Sequence, residues 1–441
     1  MTLVLVVVLG AVLSLLAVTL LDTVVGEAQR SARGVSRSAS FEAAEAGIGN
    51  YTAKLVDDSQ FYLHYVHPGE STRRDASGTT VAPGSTWTAG ATWTYPNGKD
   101  AWRSLGNGYE YNLQVYPPDA GSEAVRVIAS GRRIQGATDQ RVVEARIRPS
   151  SITDFQMLAN TTVQYGSAAT TYGKIYAGID ASGYRHHVVH YGTAYGDIYA
   201  EGSVYGSPNM QNGARTYNGS TIRTVIKNPA NFGSFITSLV DIQRAATYNG
   251  VYLNDPSVEG WRITLQSNGR FLVQPCTRDS GRDFAEASPI CGAATTYTVP
   301  ANGAVYAPQT VIVSGQVNGR FTVASNDDVV VAADISYVTS GDDVLGLVAQ
   351  SDVLIAQYAP NNLTWRAATI AQTGAWRSWR TDGSHNRMTF TGSTATNLGG
   401  YMAQFRTRVY QYDATLAYLQ PPWFPTVEEA YTVQLFRELP A

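Results

Sequence analysis

The sequence predicts an α+β protein that is mostly β. It reads as a long N-terminal α-helix, a small antiparallel sheet, then a large parallel β-solenoid with an inserted helix-hairpin segment. Three observations predict this. The first 21 residues carry no charged side chain, and helical spacing continues past them to about residue 57. Period-two strands follow between 109 and 149. From about 151, short apolar runs return at a spacing of 23 to 25 residues.

Bulk composition agrees with that class. A chain of 441 residues exceeds one small core and divides into units. Hydrophobic content of 44% against 15% charged argues against a disordered chain. The 41 glycines and 27 tyrosines, with few helix formers beyond residue 60, favour a β body. Net charge is −3 with no block of Lys or Arg, so the strong basic field of a duplex-DNA binder is missing and no nucleic-acid partner is expected.

The helix comes first. Residues 1–21, MTLVLVVVLGAVLSLLAVTLL, would span a bilayer, being about 30 Å long at roughly 1.5 Å per residue. An ordinary secretory signal places Lys or Arg before its apolar core. Without that cue the chain either inserts unaided or follows a basic leader already removed. Past Asp22 the pattern stays helical, with Ala44, Ile48, Tyr51 and Leu55 forming one apolar stripe. Glu42, Glu45 and Lys54 take the opposite face. A helix over 1–57 would be roughly 85 Å long. A plain membrane anchor has no need of its amphipathic second half. A helix packed among identical helices in front and on a globular head behind needs both halves.

On these residues the segment resembles the mature N-terminal helix of type IV pilins and type II secretion pseudopilins. FEAAEAGI, Phe41 to Ile48, is similar to the helix motif of their large minor-pilin group. The resemblance implies cleavage by prepilin peptidase before Met1, an N-methylated Met1, storage in the inner membrane and extraction by the pilus assembly machinery. The product would be a homo-oligomeric helical filament at the cell surface, held through residues 1–57. Its assembly residues would be Met1, Thr2, Leu3, Leu5, Leu9, Leu13, Leu16, Phe41 and Glu45. Position 5 departs from the pattern. Most bacterial pilins carry a Glu there to pair with a neighbour's terminal amine, whereas this chain has Leu5. A buried unpaired amine is costly, so the usual docking register is in doubt. A tip position, or packing by apolar contact alone, fits the change.

The sheet comes second. YEYNLQVY (109–116), EAVRVIAS (123–130) and QRVVEARIRP (140–149) alternate with period two and read as an antiparallel meander. The resemblance implies that it covers the helix's amphipathic half. Residues 58–150 thus form the expected β head.

The solenoid comes third, over 151–441. Tyr172-Gly173-Lys174-Ile175-Tyr176-Ala177 returns as Tyr195-Gly196-Asp197-Ile198-Tyr199-Ala200. VASNDDVVVA (323–332) returns as VAQSDVLIA (348–356). Stacked β rungs explain such repeats; a sandwich of short antiparallel strands is the alternative. An insertion at about 228–300 carries a helical pattern ending at Asn249-Gly250 and a hairpin turning at Asn268-Gly269. Cys276 and Cys291 follow, and two cysteines this close in an exported chain read as a disulfide. The tail, including YQYDATLAYLQPPWFP, looks like the β-helical C-terminal domain of some pilin-like and surface proteins. Residues 410–441 are expected to form a strap, with Pro421, Pro422 and Pro425 keeping it extended.

Catalytic candidates are weak. Asp327, Asp328, Asp342 and Asp343 sit beside turns, where acids are ordinarily solvated corners. A calcium site there is conceivable from the ligand types. In YRHHVVHYG, strand alternation places His186 and His190 on one face and His187 on the other. Two such histidines could hold a metal, although a polar outer face is the plainer reading. Phosphate loops, dinucleotide fingerprints and nucleophile elbows are absent from the sequence. Tyr165, Tyr172, Tyr176, Tyr184, Tyr191, Tyr195, Tyr199 and Tyr205 crowd one stretch, as structural ladders or as an adhesive surface.

The sequence therefore reads as a filament subunit rather than an enzyme, with no cofactor or metal, displaying its β-domain for attachment or spacing. A carbohydrate or other surface ligand is a conceivable partner. Two alternatives stand: a minor or tip pilin acting as adhesin or assembly initiator, and a membrane-anchored β-helix that binds or cleaves polysaccharide.

Overall fold

The computed structural model describes residues 34–55, 65–66, 73–74, 93–95, 102–116, 124–135, 139–225, 235–417, 419–424 and 426–440. The chain divides into two units. Unit 1 comprises Met1–Pro117, Val125–Ile147 and Tyr431–Ala441; unit 2 comprises Pro118–Ala124 and Arg148–Ala430.

Unit 1 packs one helix on one sheet. Helix α1 covers residues 34–55. Tyr109–Tyr116, Val125–Arg133 and Arg141–Ser151 form an antiparallel meander in a six-stranded sheet whose far edge is Thr426–Leu439. Alternation sends Leu113, Val115, Val127, Ala129, Val143 and Ala145 inward, all fully buried. Ala44, Ile48, Tyr51 and Leu55 of α1 lie on them at helical spacing. Each large side chain buried this way stabilises by about 1.5–3 kcal/mol. Two glycines allow the close approach. A Cβ on Gly131 would come within 2.0 Å of the Ser40 carbonyl oxygen, and one on Gly47 within 2.6 Å of the Tyr111 ring.

Unit 2 is dominated by a 22-stranded sheet and also contains a separate three-stranded sheet. The chain joins this stack in its middle. Met157–Ala159 pairs in parallel with Ile175–Ala177 on one side and with Thr394–Thr396 on the other. Successive strands extend one way through Ile198–Ala200 to Thr216–Asn218. After helix α2, Phe235–Asn249, the chain restarts at Val251–Tyr252 and works back through Ala304–Ala307, Arg320–Ser325, Val344–Ala349 and Asn362–Ala371. His385–Thr396 and Phe405–Gln411 complete the return, and Phe405–Gln411 pairs with Ala169–Tyr172. Val, Ile, Ala and aromatic residues fill the interior, among them Trp365, Trp376 and Phe390.

This corrects the expected fold class. The described residues are mostly β with a large mixed sheet and two α-helices, neither of them long. Of the expected helix over 1–57, residues 34–55 are described and helical; residues 1–33, 56 and 57 lie outside the described residues. A closed parallel solenoid is not what forms. Gly260–Gln266 turns back at Gly269, whose φ is +74°, and Arg270–Thr277 runs antiparallel to it. Ile290–Cys291 and Thr295–Thr298 continue the antiparallel pairing, so the sheet is mixed.

Candidate functional site

Among the proposed assembly residues, Met1, Thr2, Leu3, Leu5, Leu9, Leu13 and Leu16 lie outside the described residues. So does the apolar run 1–21; among the described residues, no helix is long and apolar enough to cross a membrane. Phe41 and Glu45 are described. Phe41 is half-buried and meets Phe436 edge-on, with ring centroids 5.9 Å apart. Glu45 is exposed. The face of α1 turned from its sheet carries Glu42, Glu45, Ala46, Gly49 and Ala53, all exposed. Gly49 differs from Gly47: a Cβ there meets nothing within 4 Å. Packing inside this subunit therefore does not require a small residue at 49.

Cys276 and Cys291 form a disulfide between directly paired antiparallel residues.

The turn acids bond the backbone and side chains of their own stack. Asp343 is buried and accepts from the backbone N–H of Gly319 at 2.7 Å and of Thr339 at 2.6 Å. Asp327 accepts from the Thr310 hydroxyl at 2.6 Å. Asp328 accepts from the Asp352 N–H at 2.8 Å, and burial pushes its carboxyl up to about 6. Asp342 lies at an exposed turn position. Among the described residues no three His, Cys, Asp or Glu side chains gather so as to hold a metal.

The histidines separate by role. His190 is fully buried. Its Nδ1 accepts from the Gly192 N–H at 3.1 Å, so Nε2 carries the proton and donates to Thr171 Oγ1 at 3.1 Å. Burial lowers its pKa to about 4, which keeps the ring neutral. His186 pairs instead with Asp180, Nε2 to Oδ2 at 3.1 Å, and meets Thr162 Oγ1 at 3.4 Å through Nδ1. His187 accepts the Ser203 N–H at Nδ1, 2.8 Å, and donates from Nε2 to the Tyr184 hydroxyl at 3.2 Å. Alternation in the sequence paired His186 with His190, whereas their partners here differ entirely.

Two kinds of contact stand out among the tyrosines. Tyr172 and Tyr195 stack at 4.5 Å and 9°, and Tyr199 and Tyr217 at 5.2 Å and 10°. These are cross-strand ladders. Tyr184 and Tyr205 instead meet histidines at steep angles. Tyr184 meets His186 at 68° and His187 at 86°, and Tyr205 meets His187 at 58°. Beside them Asp180 Oδ1 accepts from the Ser182 hydroxyl and N–H and from the Tyr184 N–H, at 2.6, 2.9 and 3.0 Å. The Ser182 hydroxyl is the largest cause of an Asp180 pKa lowered to about 2. Sequence reasoning missed Asp180. Its signal was Asp180-Ala181-Ser182, an acid two residues before a hydroxyl at a turn.

No protein-family model matches the chain, and no curated protein matches it by sequence. Among solved structures, the crystal structure of the competence-associated pilin ComZ from Thermus thermophilus aligns at 12% identity with a TM-score of 0.28, over 92% of this chain and 97% of that one. A likeness of that strength carries no argument.

Proposed function

We propose that this chain is a structural subunit of an extracellular, type IV pilus-like filament. It assembles through its apolar amino-terminal segment and displays its β units for surface attachment or spacing. The carrying observation is the junction of two properties in one segment. Residues 1–21 are uncharged, and the following α1 uses one face for its own sheet while leaving Ala46, Gly49 and Ala53 exposed on the other. Small exposed residues let a neighbouring subunit approach closely. The apolar run is stored in the inner membrane, then buried among the same runs of neighbours, so its surface never faces water. Prepilin peptidase, the assembly machinery and identical copies are the partners on this reading.

Leu5 favours a second placement. Without an acid at position 5 to pair with a neighbour's amine, a minor or tip subunit is easier to accommodate than a repeating one. Immunogold electron microscopy of sheared surface filaments separates the two. Label along the whole length makes this the major subunit; label at one end makes it the tip. Filaments that form normally, and still incorporate the chain, after deletion of residues 2–21 sink both.

A further inference from the structure

Exposed aromatic side chains call for an explanation when their ring faces are left uncovered. The stacked pairs Tyr172–Tyr195 and Tyr199–Tyr217 cover each other's faces. At the corner after Ile175–Ala177 Tyr184 meets His187 edge to face and Tyr205 meets it tilted at 58°, and Tyr184 and Tyr205 stay 54% and 51% exposed. His187 holds the two in place. Its imidazole lies over Gly202, where a Cβ would come 2.4 Å from Nδ1, and the Ser203 N–H fixes its tautomer. Because Nε2 then donates to the Tyr184 oxygen, the Tyr184 hydroxyl keeps its own proton to donate outward. Asp180 Oδ1 is saturated by three donors, while among the described residues Oδ2 accepts from His186 alone and has a second lone pair to offer.

We propose that this corner is a subsite for a hydroxyl-rich sugar ring of a polysaccharide, with Tyr184 and Tyr205 packing on the ring and Asp180 and the Tyr184 hydroxyl bonding its hydroxyls. A sugar offers both features required, a face of C–H groups for the aromatic rings and adjacent hydroxyls for a carboxylate. A nucleic acid fits worse. Asp180 stays ionised and repels phosphate, and Arg185, exposed beside it, is one cation against a polyanion. This deepens the display role above. Sugar binding by the free subunit does not require assembly, so the two readings fail separately.

The test uses the full chain in detergent micelles, with retention measured on cellulose, chitin and mannan resins and affinity on the matching soluble oligosaccharides. Retention on at least one polymer is expected. Tyr184→Ala and Tyr205→Ala should weaken it about fivefold to tenfold, the loss of one aromatic contact. Gly202→Ala should do the same by displacing His187. Tyr191→Ala, which removes a tyrosine that is 62% exposed elsewhere, should change nothing. Circular dichroism should be unaltered in both tyrosine variants of the corner. The proposal is overturned if no polymer retains the protein, if the corner variants bind as the parent does, or if they lose binding to a fluorescent single-stranded oligonucleotide instead.

Discussion

Arg148 donates from Nε to the carbonyl oxygen of Ala417 at 3.0 Å, although 269 residues separate them. The same guanidinium donates to the Leu416 carbonyl at 3.3 Å and pairs with Asp154. Arg148 is the first residue of the long second segment of unit 2, so this bond ties the segment's start to a turn near its end. The guanidinium is buried, and its two carbonyl partners belong to the last two residues of the 3-10 turn Ala414–Ala417.

Removing that guanidinium should be expensive. Arg148→Ala removes the donor from Asp154 Oδ1, whose Oδ2 keeps the Ser151 N–H, and from two carbonyls in a buried site, a loss of about 3–5 kcal/mol. Urea unfolding followed by tryptophan fluorescence reads it, because Trp365 and Trp376 are buried in unit 2. A shift below about 1 kcal/mol would mean that water replaces the arginine and the clasp is not structural.

Asp328 sets a pH dependence of opposite sign to that of an ordinary paired carboxylate. Burial raises it from the usual 3.8 to about 6, with Asp327, Asp352 and Asp283 adding to the rise. The folded state thus holds its proton longer than the unfolded chain. Stability from this group is fully present below pH 4 and is lost as pH rises through 6, by roughly 3 kcal/mol. Asp328→Asn keeps an acceptor for the Asp352 N–H and removes the charge. The variant should match the parent near pH 4 and exceed its stability at pH 7.5, measured by denaturant midpoints. Equal pH profiles for the two proteins would refute this.

What the sequence disclosed and what it concealed divide by range. The repeat at a spacing of 23 marks true neighbours: Ile175, Tyr176 and Ala177 pair with Ile198, Tyr199 and Ala200. Like residues stack on like, so the signal survives in composition. Nothing local marks Leu158 as the partner of Ala395, because entry into the middle of a stack is a property of the whole path. Glu144 misleads for a related reason. It alternates with inward residues and reads as solvated, yet Arg437 from the last strand covers it at 2.5 Å and leaves it 2% exposed. His190 fails the same test, since strand alternation cannot say which face will meet a distant Thr171.

The disulfide is worth a bounded amount. Cys276 and Cys291 are 15 residues apart, and closing so short a loop stabilises by roughly 3 kcal/mol. Replacing both with Ser should lower unit 2 stability by up to that much. The loss should show first as protease cleavage between 277 and 290, because the antiparallel segment pairs there at only one residue pair beyond the disulfide, Thr277 with Ile290. Unchanged cleavage kinetics would show that the hairpin holds itself.

Two glycine substitutions separate folding from assembly. In Gly131→Ala the new methyl lies 2.0 Å from the Ser40 carbonyl oxygen and 2.6 Å from the Ala44 nitrogen, so α1 must lift from its sheet. Overpacking of this kind costs about 1–3 kcal/mol, and unit 1 should lose stability while unit 2 keeps its own. Gly49→Ala is the converse. Its methyl meets nothing inside the subunit, and replacing glycine within an exposed helix should stabilise the subunit by about 1 kcal/mol. If the exposed face of α1 packs against a neighbour, that more stable subunit should nevertheless form fewer filaments, counted by electron microscopy at equal expression. Gly49→Ala filaments equal in number and length to the parent's would place the α1 face outside the filament contact and leave assembly to residues 1–21 alone.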